Sequence, residues 1–346
     1  MKFHYATTLE KHNWVGGGLD AYIYHATPTI VVKTVRHDRT PEENTGEHPF
    51  IKEIAFYKPL NENSDRCASI VECFLTLPDH LFLSYCPNNS IAPRLYERQE
   101  RHAGMNGFHG RLIRVKEYED PTLIARWIQQ ITSALEYIEK MGFCHNDLHA
   151  SNCLLDSDFN VRLADFGRAT TIGQPLEGVL PPRAKPILAG PLKGTYGLCS
   201  AKTEQFAVGT LLYFMVYGHE PYDGIVLSAA EWDRRFGEMN FPELDRNEVF
   251  DGLISACWYD VYPTMALLAY DFKRKTKNTI CNAEYLPIDS AKETKTCKEL
   301  VRRGLLGPDL ALCFQPTWRR YLQVIVKRGM SMWQFILQKI SWTRVS

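Results

Sequence analysis

The order of apolar and polar positions divides the chain into a strand-rich first quarter and a helix-rich remainder. Residues 21–25 (AYIYH) and 29–35 (TIVVKTV) are β-rich runs flanking a short His-Ala-Thr-Pro turn, which predicts a hairpin just after the glycines at 16–18. In residues 50–60 (FIKEIAFYKPL), Phe50, Ile54, Tyr57 and Leu60 share one helical face. Residues 69–86 read as two strands around a Pro-Asp-His turn. Residues 87–120 are polar and rich in arginine, glycine and asparagine, and predict a long connection without a chemical signal. Over 121–143, Ile124, Trp127, Ile128, Ile131, Leu135 and Ile138 recur every three to four residues, with Pro121 at the start and Gly142 at the end, as a core helix requires. Two short apolar strands follow at 153–155 and 161–164. Then come an apolar helix over 203–222 that stops at Gly218 and an aromatic-rich helical stretch over 257–272.

Composition narrows the function classes. The chain has 346 residues, enough for one large or two modest cores, and a net charge of +0. With a pI of about 7.1 it has no global field to draw it to nucleic acid. The ten cysteines are scattered, many in apolar runs such as those of Cys73, Cys86, Cys144 and Cys153, and no Cys-x-x-Cys pair occurs, which argues against zinc ribbons. The N-terminal MKFHYATTLEKHNW is too polar for a signal peptide, and the longest apolar run, 206–217, is too short to span a bilayer. The expectation is a protein with reduced core thiols in the cytoplasm, the nucleus not being excluded. Charge is uneven only near the end. There Arg302, Arg303, Arg319, Arg320, Lys327, Arg328, Lys339 and Arg344 meet one acid, Asp309, and a basic amphipathic run can touch a membrane or a partner weakly.

The chemistry concentrates in residues 145–167, HNDLHASNCLLDSDFNVRLADFG. Asp147, Asn152 and Asp165 fall where helix or strand gives way to loop. Two carboxylates and an amide oxygen in such a place are the hard oxygen ligands that Mg²⁺ takes. This stretch resembles the catalytic and metal-binding loops of the protein kinase superfamily, HRDLxxxxN followed by DFG. The intervals, 152 − 147 = 5 and 165 − 152 = 13, agree with that family. The resemblance covers roughly residues 15–275. It implies an α+β, two-lobed kinase-like fold: a small β-rich lobe at about 15–86 and a larger helical lobe at about 87–285, between an N-terminal segment, 1–14, and a basic extension, 286–346.

The resemblance also implies ATP- and Mg²⁺-dependent phosphoryl transfer to Ser or Thr hydroxyls of a protein substrate. Asp147 would accept or orient the hydroxyl proton, and Asn152 and Asp165 would hold Mg²⁺. Gly16, Gly18 and Ala21 fit the family's GxGxxG, with alanine at the last position and Ile23 where valine follows. Lys33, in IVVK, would contact the α- and β-phosphates. Glu53, 53 − 33 = 20 residues later, would hold that lysine. Ile23 and Val31 would cover the adenine from above and Leu154 from below. Leu83 falls near the gatekeeper and 84–86 near the hinge.

Four departures qualify the match. Asn146 replaces the arginine of HRD, so the usual receiver of an activation-loop phosphate is missing, although Thr170, Thr171, Thr195 and Tyr196 are candidate acceptors. His149 replaces the lysine common two residues after the catalytic aspartate. No APE motif occurs, since only 204 − 195 = 9 residues separate Thr195 from Glu204, which stands where the family's central helix carries aspartate. The arginine that pairs with the APE glutamate is missing from the end of the CW segment. The alternatives are a nucleotide-binding pseudokinase and a small-molecule phosphotransferase of the aminoglycoside or choline kinase type.

Overall fold

The computed structural model describes residues 9, 13–36, 48–63, 65–104, 110–277 and 288–307. Its strands are β1 (Trp14–Gly17), β2 (Ala21–Thr27), β3 (Ile30–Val35), β4 (Cys73–Leu77), β5 (His80–Ser84), β6 (Gln99–Arg101), β7 (Leu112–Val115), β8 (Phe143–Cys144), β9 (Cys153–Leu155), β10 (Val161–Leu163) and β11 (Thr170–Thr171). Its helices are α1 (Ile51–Glu62), α2 (Ile91–Glu97), α3 (Pro121–Lys140), α4 (Ala201–Tyr217), α5 (Ala229–Gly237), α6 (Glu248–Trp258), α7 (Met265–Thr276) and α8 (Ser290–Arg302). The fold is mixed α+β, with strands leading and helices following. It forms two compact units: the described parts of Met1–Arg36, Phe74–Leu83 and Ile288–Ser346, and those of His37–Cys73 and Ser84–Pro287.

The first unit is built on a five-stranded sheet in the order β1-β2-β3-β5-β4. β2 runs on to Thr27, so the hairpin turn is Pro28 and Thr29 alone rather than the four residues read from sequence. Proline pre-sets the backbone for the first corner of a turn, and Thr27 Oγ1 accepts the Thr29 N–H at 3.3 Å. Strand alternation gives β3 two faces. Ile30 and Val32 point into a core shared with Leu9, Phe74, Phe82 and the C-terminal residues Cys297, Val301 and Leu306. The last three belong to α8 and the turn after it. Asp289 caps α8 by accepting the Lys292 N–H, and Thr294 Oγ1 donates to the Phe74 carbonyl at 3.2 Å. The start of the basic extension is therefore part of the sheet's core. Arg302 and Arg303 lie on its exposed side, and the amphipathic run with Arg319, Arg320, Lys327, Arg328, Lys339 and Arg344 lies outside the described residues.

The second unit is organised around α4, whose residues are nearly all buried. Ser200 and Thr203 cap it reciprocally. Gly209 lets α6 approach: a Cβ there would lie 2.8 Å from Cys257 Cβ and 3.0 Å from the Trp258 ring. α3 starts where Asp120 accepts the Thr122 N–H at 2.7 Å, with Pro121 at the first helical position. Residues 87–120 hold more structure than their polarity suggested. α2 buries Ile91 and Leu95, and β6 pairs with β7. Arg94 Nη2 donates to the buried Glu119 carboxylate at 3.2 Å, so charges that read as loop are internal fasteners.

Val301 is fully buried under the sheet and its neighbour Arg302 is exposed. Val301→Ala, which removes two methyl-sized groups, is expected to lower unfolding stability by about 2 kcal/mol. Arg302→Ala is expected to stay within about 0.5 kcal/mol. Urea unfolding of both variants checks the pair.

Candidate active site

The loop from His145 is held from beneath by one buried carboxylate. Glu204, on the first turn of α4, accepts the His145 N–H at 2.9 Å through Oε2 and the Asn146 N–H at 3.0 Å through Oε1. Burial pushes the Glu204 pKa up, against the opposing pull of His145 and of these two amides. His145 is itself fully buried. Its Nδ1 accepts the Asp147 N–H at 3.2 Å, which leaves the proton on Nε2 for the Ala164 carbonyl at 3.0 Å. The start of the catalytic-type loop is thereby tied to the residue before Asp165.

Asn152 closes the other end. Its Nδ2 donates to the Asp147 carbonyl at 2.9 Å and to Asp147 Oδ2 at 3.2 Å, and its carbonyl accepts the Ala164 N–H at 2.9 Å. With the amide nitrogen committed to Asp147, Oδ1 is the atom that Asn152 has for a cation. Asp165 is exposed and sits in the left-handed region, φ 63°, at the mouth of a 3-10 turn over Phe166–Arg168. A non-glycine residue in that region is a local cost that recurs at functional sites. Phe166 is fully buried, stacked on Phe56 of α1 at 3.9 Å and 11°, with Tyr57 and His145 edge-on at 5.5 and 5.0 Å. The aromatic stack fixes α1, which carries Glu53 (1% exposed), to the turn that presents Asp165. Leu154, on β9, is half-buried in the same unit.

The other predicted nucleotide contacts lie in the first unit, and all but Gly18, which lies in the turn between β1 and β2, share a sheet face. Gly16 is opposite Ile23, Ile23 opposite Lys33, and Ala21 opposite Val35, and directly paired residues point the same way. Val31 and Lys33 alternate with Ile30 and Val32, so this face is turned away from α8. Lys33 is 9% exposed. A Cβ at Gly16 or Gly18 would meet nothing within 4 Å, which leaves the backbone open to close approach by a ligand. In the second unit, the carboxylate oxygens of Asp147 and Asp165 and the amide oxygen of Asn152 fit a magnesium ion by donor chemistry; in the first unit, Lys33 among small and aliphatic groups suits an anionic phosphate. Among the described residues no three His, Cys, Asp or Glu side chains gather into a metal cluster.

Asp147 is anchored by several neighbours. Burial raises its pKa, but the His149 hydrogen bond and the electrostatic pull of the His149 and His145 rings and of the Arg168 guanidinium outweigh burial and hold it at about 2. Asp147 is thus ionised at neutral pH. Its pairing stabilises the fold above the ordinary carboxylate range and is lost as pH falls through about 2. Around it the usual phosphate receiver is replaced by packing. Asn146 Nδ2 donates to Cys199 Sγ at 3.2 Å and to the Arg168 carbonyl at 3.4 Å. Tyr196 donates to Asp233 at 3.2 Å, so a phosphate added there would face an acid. Two contacts were invisible in the sequence because they join residues distant along it. Arg168 reaches Asp147, and Lys185 Nζ pairs with Asp260 at 2.7 Å. Lys185 lies in the segment before α4, and Asp260 follows the Cys-Trp end of α6. The family joins these two regions by a glutamate and an arginine. Here the polarity is reversed.

Fold, loop and spacing define a protein kinase, and the chain belongs to that family. The profile described as "Protein tyrosine and serine/threonine kinase" matches residues 16–262. Among curated relatives, tyrosine-protein kinase ABL2 of Homo sapiens is 28% identical over 260 residues, covering 73% of this chain and 20% of its own. NUAK family SNF1-like kinase 1 of Homo sapiens is 28% identical over 219 residues (56% and 26%), and serine/threonine-protein kinase PLK4 of Xenopus laevis 27% over 159 (45% and 15%). The chain thus spans about a fifth of the length of ABL2.

Three substitutions test the scaffold. Glu204→Ala leaves two buried N–H groups without their acceptor and is expected to cost about 2–4 kcal/mol in chemical denaturation. Lys185→Asp is expected to weaken the fold by about 1 kcal/mol, and the double swap with Asp260→Lys to recover most of it. A loss in the double variant equal to the sum of the losses of Lys185→Asp and Asp260→Lys alone would show that the pair carries no coupling.

Proposed function

We propose that the chain transfers the γ-phosphoryl group of ATP to Ser or Thr hydroxyls of a protein substrate, with Mg²⁺. The observation that carries this reading is the placement of Asn152, whose amide nitrogen is fastened to Asp147 while its backbone carbonyl is fastened to Ala164, beside Asp165. One residue, through its side chain and its backbone, thus aligns the acceptor-side acid with the cation-side acid. Phosphoryl transfer asks little else of a protein than positioning and charge compensation.

In this reading Asp165 and the Asn152 Oδ1 hold Mg²⁺, which when bound neutralises charge on the transferred phosphoryl group. Lys33 positions the α- and β-phosphates. The backbone at Gly16, Gly18 and Ala21 approaches the phosphates, and Ile23 and Val31 cover the base. Asp147, held ionised, accepts a hydrogen bond from the acceptor hydroxyl and orients its oxygen. With so low a pKa it serves as an orienting acceptor more than as a strong base. Tyrosine is the second reading for the acceptor, favoured by the similarity to tyrosine-protein kinase ABL2.

The test is incubation of the chain with Mg²⁺ and γ-labelled ATP, with a mixed peptide library, followed by acid hydrolysis and identification of the labelled amino acid. Phosphoserine or phosphothreonine is expected, with transfer lowered by about 100-fold or more in Asp147→Ala and in Asp165→Ala. Label on tyrosine alone would move the assignment to the second reading. Label on neither, with nucleotide binding intact, would overturn the assignment as an enzyme.

A further inference from the structure

We propose that Arg168 is the acceptor-side cation of this site, a positioning residue that grips one oxygen of Asp147 so that the other faces the acceptor hydroxyl. The inference rests on the phosphotransfer reading and adds a residue that the motif does not contain. Three donors converge on Asp147 Oδ2: Asn152 Nδ2 at 3.2 Å, Arg168 Nε at 3.7 Å and His149 Nε2 at 3.7 Å. This asymmetry leaves Oδ1 for a hydroxyl.

His149 makes a poor fixed cation. Its Nδ1 accepts the Ser151 N–H at 3.3 Å, so the ring presents one N–H to Asp147 and protonating Nδ1 would break that bond. A guanidinium is charged at every working pH and offers its Nε–H and Nη–H groups in a rigid fork. Arg168 uses both ends of that fork. Nε faces Asp147, and Nη1 donates to the Gly178 carbonyl at 2.7 Å. Its backbone carbonyl accepts from Asn146 Nδ2 and, at 2.9 Å, from Thr170 Oγ1. The far anchor is firm as well. Gly178 sits between Leu176 and Val179, which are buried in a cluster with Cys144, Ala184 and Cys199.

Gly178 answers to two demands at once. Its φ of +70° disfavours any side chain, and a Cβ there would lie 2.0 Å from Arg168 Nη1 and 3.2 Å from Cζ. A methyl at 178 would therefore expel the guanidinium from its place without removing a charge. The Arg168 side chain is 45% exposed, so its ion pair contributes little to global stability, and a loss of rate on its removal reports on the site.

The experiment compares wild type with Arg168→Met, Arg168→Lys and Gly178→Ala in steady-state transfer to peptide, with urea unfolding of each. Arg168→Met and Gly178→Ala are expected to lower kcat by about 10- to 100-fold with the KM for ATP unchanged. Arg168→Lys should retain more activity than Arg168→Met, and added guanidinium should restore part of the rate of Arg168→Met. A second readout needs no turnover: the ¹⁵N NMR signal of Arg168 Nε–H should shift in Asp147→Asn and in Gly178→Ala. Unchanged or raised kcat in Arg168→Met, in a preparation whose wild type is active, would overturn the inference alone. So would an Nε–H signal indifferent to Asp147→Asn. A wild type that transfers no phosphate would instead strike at the phosphotransfer reading.

Discussion

Every group of the candidate site in the second unit depends on a charge placed where charge is expensive. Glu204 sits on a helix that is otherwise core, and its carboxylate is buried. An unpaired carboxylate there would be costly, and two backbone N–H groups from consecutive loop residues satisfy it. The exchange works in both directions. The acid needs the loop, and the loop, which turns through a left-handed Asn146 at φ 61°, needs the acid to keep its shape. From that contact His145 reaches Ala164, Phe166 stacks on α1, and Asn152 ties Asp147 to the start of the Asp165 turn. The chain of contacts is short, and none of its members is a long exposed side chain.

Much of this was legible before any coordinates. The period of α3, the stop at Gly218 and the strands flanking residues 156–160 are local signals, in which each residue's neighbours decide its state. The catalytic-type loop was legible because its residues lie close along the chain and their chemistry is specific to hard cations. Residues 87–120 were not legible as structure. α2 is two turns long, and the pair Arg94 and Glu119 looks like surface charge until Glu119 is seen buried against a half-buried Arg94. The place of α8 was hidden for the opposite reason. Its apolar residues are few, Cys297 and Val301, and only the complementary face of β3 explains why they suffice. Contacts made across long intervals, Lys185 with Asp260 and Glu204 with the loop, follow from folding and carry no local pattern.

The departures from the family motif form a consistent set. Where a phosphate-sensing arginine would stand, Asn146 bonds to Cys199 and to the Arg168 carbonyl. Where a glutamate and an arginine would brace the segment before α4, lysine and aspartate do so with signs exchanged. Tyr196 and Asp233 add a further tie to the same segment. Each replacement keeps a contact without calling for an added charge, so the segment is held by contacts present in the unmodified chain. Asp147, Asn152 and Asp165 keep the residue types of the motif beside these replacements.

The central claim is that Asp165 and Asn152 hold a divalent cation together with a nucleotide. Electron paramagnetic resonance of Mn²⁺, titrated with the chain in the presence of ATP, measures that binding without requiring turnover. A slowly tumbling bound signal is expected for wild type and for Asp158→Ala, an exposed acid in the turn between β9 and β10, and the signal is expected to be lost in Asp165→Ala. Equal affinity in Asp165→Ala and wild type would contradict the account.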